Sequence, residues 1–94
     1  MLFEWDEAKR KRNLAKHGVD FECIDDFDWV HATIRLDSRQ DYGEDRYVAT
    51  GYLGERLHIC VWTIRENIIR LISLRKANGK EERIHEEEAE ALDE

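Results

Sequence analysis

The sequence predicts an α+β domain in which N-terminal helices and a C-terminal helix pack on a four-stranded antiparallel sheet. Three observations carry that prediction. The apolar period changes from helical to two at His31, the β-rich runs that follow are separated by short polar or glycine-bearing gaps, and helix-forming residues return after Ala77. Gaps this short close antiparallel hairpins, because a parallel crossover needs a dozen residues or more.

The elements follow in chain order. Leu2 to Glu4 reads as a short edge strand. A helix comes next, with Asp6 as its N-cap and Gly18 as the residue just past its end. Lys9, Arg10, Lys11, Arg12 and Lys16 crowd its middle, while Trp5, Ala8 and Ala15 offer only a thin apolar stripe. Such a helix is not stable alone and has to dock. "VDFECIDDFDWV" reads as a second short helix ending near Asp28 or Trp29, with Phe21, Ile24, Asp25 and Asp28 at helical spacing and Cys23, Phe27 and Val30 extending the apolar side. Its acids Glu22, Asp25, Asp26 and Asp28 either offset the basic first helix or face solvent. Strands are expected over residues 31–37, 46–52, 56–64 and 68–76, separated by "SRQDYGED", "LGE" and "REN". The tail "NGKEERIHEEEAEALDE", from about residue 78 to 94, is expected to be helical and frayed at its last turn, with Ala77, Glu81 and His85 on one face.

Composition narrows the function classes. Ninety-four residues, 41% of them hydrophobic, make one domain with a single modest core. No apolar run approaches the length needed to cross a bilayer, and "MLFEWDEAKR" lacks the cationic-then-apolar order of a secretory signal, so the expected location is the cytoplasm, with no membrane partner. Cys23 and Cys60 form no C-x-x-C pair and are expected to be buried free thiols. The net charge of -7 is carried by the tail: Glu81 to Glu94 hold eight acids and one base, and residues 1 to 80 hold fourteen of each. A local basic face for nucleic acid is therefore compatible with an acidic chain.

The groups able to do chemistry are cations and histidines. Arg65, Arg70 and Arg75 are candidates for phosphate contacts, because a guanidinium is a planar fork of donors; they could equally pair with Asp37, Glu44, Glu66 or Glu81. If Glu66 and Asn67 form a two-residue loop, Arg65 and Arg75 fall on opposite faces of the sheet. If Arg65 to Asn67 form a three-residue loop, Arg75 shares the face of Leu57, Ile59 and Val61 and Arg65 is free at the turn. Lys16 and His17 either complement the negative end of the first helix or face a substrate. His31 and His58 read as strand residues with no chemical partner nearby, whereas His85 shares a helix face with Glu81. No spacing of histidine, cysteine or acids suggests a metal site or any other cofactor, and P-loop, G-x-G-x-x-G and G-x-S-x-G patterns are absent.

Taken together, "FEWDEAKRKRNLAKHGVDFE" and "GEDRYVATGYLGERLHICVWTIRENIIRLISLRKA" resemble the BrnT family, the toxin half of type II toxin-antitoxin pairs. The likeness runs from Phe3 to about Glu87 and rests on W-D-E-x-K, N-x-x-K-H-G-V and R-x-I-S-x-R-x-A in combination. It implies a RelE-like fold and a metal-independent endoribonuclease that arrests growth by cutting RNA. It also implies a BrnA-like ribbon-helix-helix antitoxin, through which alone the toxin would reach operator DNA. Onto the matching positions it carries phosphate and transition-state binding for Arg65 and Arg75, with Lys16 as a further cation and His17 as base or positioner. Lys9, Arg12, Arg70 and Glu81 are the accompanying candidates for RNA contact. The family usually has tyrosine eight residues after the alanine that follows I-S-x-R; here that position is His85, while Glu81 keeps the family's acid. Imidazole is a competent acid or base near neutral pH, so His85 belongs with the catalytic candidates. The competing reading is a weak or inactive antitoxin-binding module, motivated by the same substitution and by the acidic tail.

Overall fold

The computed structural model describes residues 2–37 and 43–92. Most of the expected gap "SRQDYGED", residues 38–42, and the end of the tail, residues 93 and 94, lie outside the described residues. The elements are β1 (Phe3–Glu4), α1 (Glu7–His17), a 3₁₀ helix (Phe21–Asp26), β2 (Thr33–Asp37), β3 (Arg46–Leu53), β4 (Arg56–Arg65), β5 (Ile68–Lys76) and α2 (Gly79–Leu92).

The α+β class holds, and the sheet differs from expectation in one strand. β2 to β5 form the antiparallel meander, but β1 adds to it in parallel beside β5, giving five mixed strands in the order β1-β5-β4-β3-β2. β1 pairs only through Phe3 and Glu4, with Ile69 and Arg70, so among the described residues the C-terminal half of β5 has no strand on that side. α1 closes it instead. Asn13, buried on the inner side of the helix, donates from Nδ2 to the Leu74 carbonyl (2.7 Å) and the Val19 carbonyl (2.9 Å) and accepts at Oδ1 from the Leu74 amide (3.1 Å). One side chain thus supplies the donor and acceptor that a neighbouring strand would have given.

α1 has the predicted ends. The Asp6 carboxylate accepts from the Ala8 and Lys9 amides, and Gly18 closes the helix at φ 70° with its amide on the Leu14 carbonyl. Of its expected docking stripe Trp5 packs against the core, edge to face on Phe21 at 6.0 Å, but Ala8 and Ala15 are exposed, and the inward positions of the helix are Lys9, Arg10, Asn13 and His17. Arg10 pairs with Glu7 and with Asp20 (3.0 Å), tying the helix to the next turn. The second helix is 3₁₀ rather than α. Phe21, Ile24 and Phe27 recur every three residues and are all buried, whereas Cys23 and Val30 face solvent. Cys60 is the buried thiol, and burial pushes its pKa up to about 12.

The two faces of the sheet carry separate cores. Phe21, Ile24, Phe27, Ala49, Cys60, Trp62, Leu71 and Leu74 pack under α1 and the 3₁₀ helix. Val48, Leu57, Ile59, Ala77 and the half-buried Val61 form a smaller cluster on the opposite face. Phe27 reaches β3 at Gly51, where an added Cβ would lie 2.8 Å from its ring and 3.0 Å from Ala32. Gly51→Ala is expected to cost about 1–3 kcal/mol by overpacking, read as a lower urea midpoint at unchanged slope.

The β4–β5 turn resolves the question of faces in an unexpected way. Glu66 and Asn67 have φ of 52° and 66°, as a two-residue type I′ turn requires. That turn alone would put Arg65 and Arg75 on opposite faces. The pairing, however, runs Val61↔Ser73 and then Trp62↔Leu71, leaving Ile72 as an extra residue in β5. The bulge reverses the alternation, so Arg65, Arg70, Ser73 and Arg75 share the face of Ile59 and Val61. α2 begins after the buried Ala77, which therefore lies before the helix and not on the face of Glu81 and His85. The tail is helical through Leu92, as expected, and none of its described residues is fully buried.

Candidate active site

Arg75 is the centre around which the site is built. It projects from β5 opposite Ile59, half-buried, and forms two parallel bonds to Glu81 of α2, Nη1 to Oε1 and Nη2 to Oε2, both 2.8 Å. Glu81 is positioned by its own helix. The Asn78 amide donates to Glu81 Oε1 and the Glu81 amide to Asn78 Oδ1, both at 2.9 Å, which is a capping box. With the Arg75 guanidinium as the largest cause, the Glu81 carboxyl falls to about 2.

That shift fixes the sign of a pH effect. A carboxyl depressed from about 4.5 contributes stability fully present above pH 4.5 and lost as pH falls toward 2, here roughly 3 kcal/mol at most. Glu81→Gln is expected to remove that part of the acid-unfolding dependence between pH 4.5 and 2, as read by circular dichroism.

α1 brings His17 and Lys16 to the same neighbourhood. Because Asn13 fixes the helix on Leu74, its last turn lies beside Ile72 and Ser73. Lys9, Arg12, Lys16 and His17 line a groove of about 330 Å³ with those two residues. Partial burial lowers the His17 pKa below 6.5, and the Lys16 and Arg75 charges lower it further. His17 thus favours its neutral form more than a free imidazole does, with the Arg75 charge among the causes. Ser73 also lines a second cavity of about 370 Å³, with Arg75, Glu81, Arg35, Leu36, Asp37, Val48, Ile59 and Val61. The basic groove and the Arg75 cleft therefore meet at Ser73.

His85 lies one turn beyond Glu81 and lines an adjoining cavity of about 280 Å³ with Arg35, Thr50, Ile59, Glu81, Ile84 and Glu88. Its ring meets Tyr52 edge to face at 5.9 Å, and its Nδ1 is buried without a hydrogen-bond partner among the described residues. The remaining candidates are elsewhere. Arg65 stands at the far end of β4, paired with Glu44 at 3.2 Å, six residues from the position opposite Arg75, or about 20 Å along the strand. Arg70 pairs with Glu4 of β1 at 3.3 Å. His31 and His58 do have partners, contrary to expectation: His31 Nδ1 lies 2.8 Å from Asp28 Oδ2, and His58 Nδ1 2.8 Å from the Arg56 carbonyl. No group of three histidine, cysteine or acidic side chains able to hold a metal occurs among the described residues, nor any helix long and apolar enough to cross a membrane.

Residues 5–81 match the family model of the ribonuclease toxin BrnT of type II toxin-antitoxin systems. The chain belongs to the BrnT family. The match takes in Lys16, His17, Arg65, Arg75 and Glu81 and ends before His85. A BrnT toxin of a type II system has a protein antitoxin as its partner. No curated protein matches the chain.

Two residues of the site were missed by sequence reasoning. Asn13 is the asparagine of N-x-x-K-H-G-V; its signal was a polar residue on the inward side of a helix whose alanines turn out to be exposed. Arg35 lines both sheet-face cavities, yet only the strand register reveals that it shares a face with Arg75, one row along.

Proposed function

We propose that the chain is a metal-independent endoribonuclease acting by transesterification, with Arg75 as the phosphate-binding group. The supporting observation is convergence: a sheet arginine within electrostatic reach of a histidine from α1 that is biased toward its neutral form, and bonded to the helix that carries His85, in a family of ribonuclease toxins. His17 takes the proton of the ribose 2′-hydroxyl as its oxygen attacks phosphorus. The bond from phosphorus to the 5′-oxygen breaks, and His85 returns a proton to that leaving oxygen. Arg75, with Lys16 of the adjoining groove, stabilises the charge that builds on the phosphoryl oxygens. The products are a 2′,3′-cyclic phosphate and a 5′-hydroxyl.

RNA approaches along the groove of Lys9, Arg12, Lys16 and His17, whose cations are open to phosphate contact, whereas Arg65 and Arg70 act further along the sheet face of Arg75. The partner that silences the enzyme is a BrnA-like ribbon-helix-helix antitoxin, and operator DNA is reached only through it. The expected site of action is the cytoplasm.

The assignment of His17 has a measurable consequence. A base whose pKa is lowered stays neutral to lower pH, so the acid limb of the cleavage profile should have an apparent pKa below 6.5. His17→Ala should remove that limb along with about 10²–10⁴-fold of the rate. An unchanged acid limb in the variant would exclude His17 as the base.

One observation favours a weaker enzyme that serves chiefly to bind antitoxin: both Nη groups of Arg75 are held by Glu81. On that reading His85→Tyr creates a cleavage activity that the native protein lacks. A folded His85→Tyr variant as inactive as the native chain would count against it.

A further inference from the structure

We propose that the cleft between β2 and β5 is a second nucleotide subsite, in which Arg35 holds a phosphate neighbouring the one cleaved; this rests on the ribonuclease reading above. The sheet register places it. Arg35 of β2 lies opposite Val48, Val48 opposite Val61, and Val61 opposite Ser73. One row along, Thr33, Thr50, Ile59 and Arg75 are paired in the same way. Directly paired residues share a face, so both arginines rise from one side of the sheet. β2 and β5 are three strand spacings apart, about 14 Å. Two long cations therefore flank a cleft with an apolar floor of Val48, Ile59 and Val61, the cavity of about 370 Å³.

The charges on that face distinguish Arg35 from its neighbours. Arg65, Arg70 and Arg75 are each paired with a carboxylate, of Glu44, Glu4 and Glu81 in turn, and Arg46 is also engaged. Among the described residues the Arg35 side chain forms no ion pair and no hydrogen bond. The acid it influences is Glu81, whose carboxyl it helps to hold down from a distance while Arg75 binds it directly. Arg35 is exposed on an edge strand, so it contributes little to the core.

Asp37 and Glu81 also line this cleft and are both already engaged. An exposed guanidinium with no carboxylate bonded to it among the described residues, on the same sheet face as the phosphate-binding arginine and separated from it by an apolar floor, matches one ligand chemistry. The ligand is a nucleotide chain, with its ribose or base on the floor and its phosphates on the two rims. Arg35 also lines the cavity of His85, Thr50 and Ile84, so a strand leaving Arg75 toward His85 passes it. Recognition here is by charge and shape, and the subsite sets how many nucleotides beside the cleaved bond are held.

The test uses single-stranded RNA that is 2′-O-methylated throughout and so cannot be cleaved. Its affinity for the native protein, Arg35→Gln and Arg35→Lys is measured by fluorescence anisotropy over a range of salt, beside KM and kcat on the unmodified RNA. Arg35→Gln should weaken binding about tenfold, flatten the slope of log affinity against log salt by about 0.7, and raise KM more than it lowers kcat. Arg35→Lys should keep the slope. If the native chain binds and cleaves RNA and Arg35→Gln does so with equal affinity and slope, the subsite is wrong and the ribonuclease reading stands. A native chain that neither binds nor cleaves RNA overturns both.

Discussion

Arg75→Ala is expected to lower RNA cleavage by about 10²–10³-fold, the loss typical of one preorganised donor to a developing oxyanion. The fork geometry makes the replacement by lysine informative as well. Arg75 meets Glu81 through two bonds of 2.8 Å, and a phosphoryl group would be met by the same planar pair of donors. Lysine keeps the charge and loses the fork, so Arg75→Lys should recover only part of the activity. Both variants leave Glu81 without its bidentate partner, so the Glu81 carboxyl should rise from about 2 toward its ordinary range. Single-turnover rates on a defined RNA, with unfolding curves to show that the variants are folded, check the claim. Full activity in a folded Arg75→Ala protein would remove Arg75 from the mechanism.

Asn13→Ala carries the largest expected loss of stability, about 3 kcal/mol. The substitution strands three buried backbone groups at once, the amide and carbonyl of Leu74 and the carbonyl of Val19, and an unpaired buried group costs about 1–3 kcal/mol. Asn13→Asp is the sharper control, because it keeps the shape while turning an oxygen toward two carbonyl oxygens. It should destabilise at least as much. The same bonds hold the end of α1 against Ser73 and Arg75, so cleavage should fall in Asn13→Ala even where the protein remains folded. Urea titration reads the stability. A change below about 0.5 kcal/mol would show that the open edge of β5 does not need its cap.

What the sequence disclosed and what it withheld divide along the range of the interactions concerned. The ends of α1 were legible because Asp6 and Gly18 act within one turn of themselves. The four meander strands were legible from their alternation and short connections. β1 was read as a strand, but its parallel pairing with β5 depends on two residue pairs over sixty positions apart, which no local pattern encodes. The segment after Gly18 was read with a period of 3.6 although Phe21, Ile24 and Phe27 follow a period of three, and the two periods differ little over six residues. At the site, Lys16, His17, Arg75, Glu81 and His85 were named from residue type and resemblance. The bulge at Ile72 was invisible to sequence, and it alone decides that Arg65 and Arg75 share a face. Arg35 was overlooked for a related reason: an arginine in a short alternating strand declares no face until its partner strand is known.

The most direct test of the central claim is cleavage of a defined single-stranded RNA by the purified native chain in EDTA, with the chemistry of the product ends determined. Metal-independent transesterification predicts cleavage that EDTA leaves unchanged, products ending in 2′,3′-cyclic phosphate and 5′-hydroxyl, and their loss in Arg75→Ala. Cleavage abolished by EDTA and restored by a divalent cation, or products carrying 5′-phosphate, would contradict it.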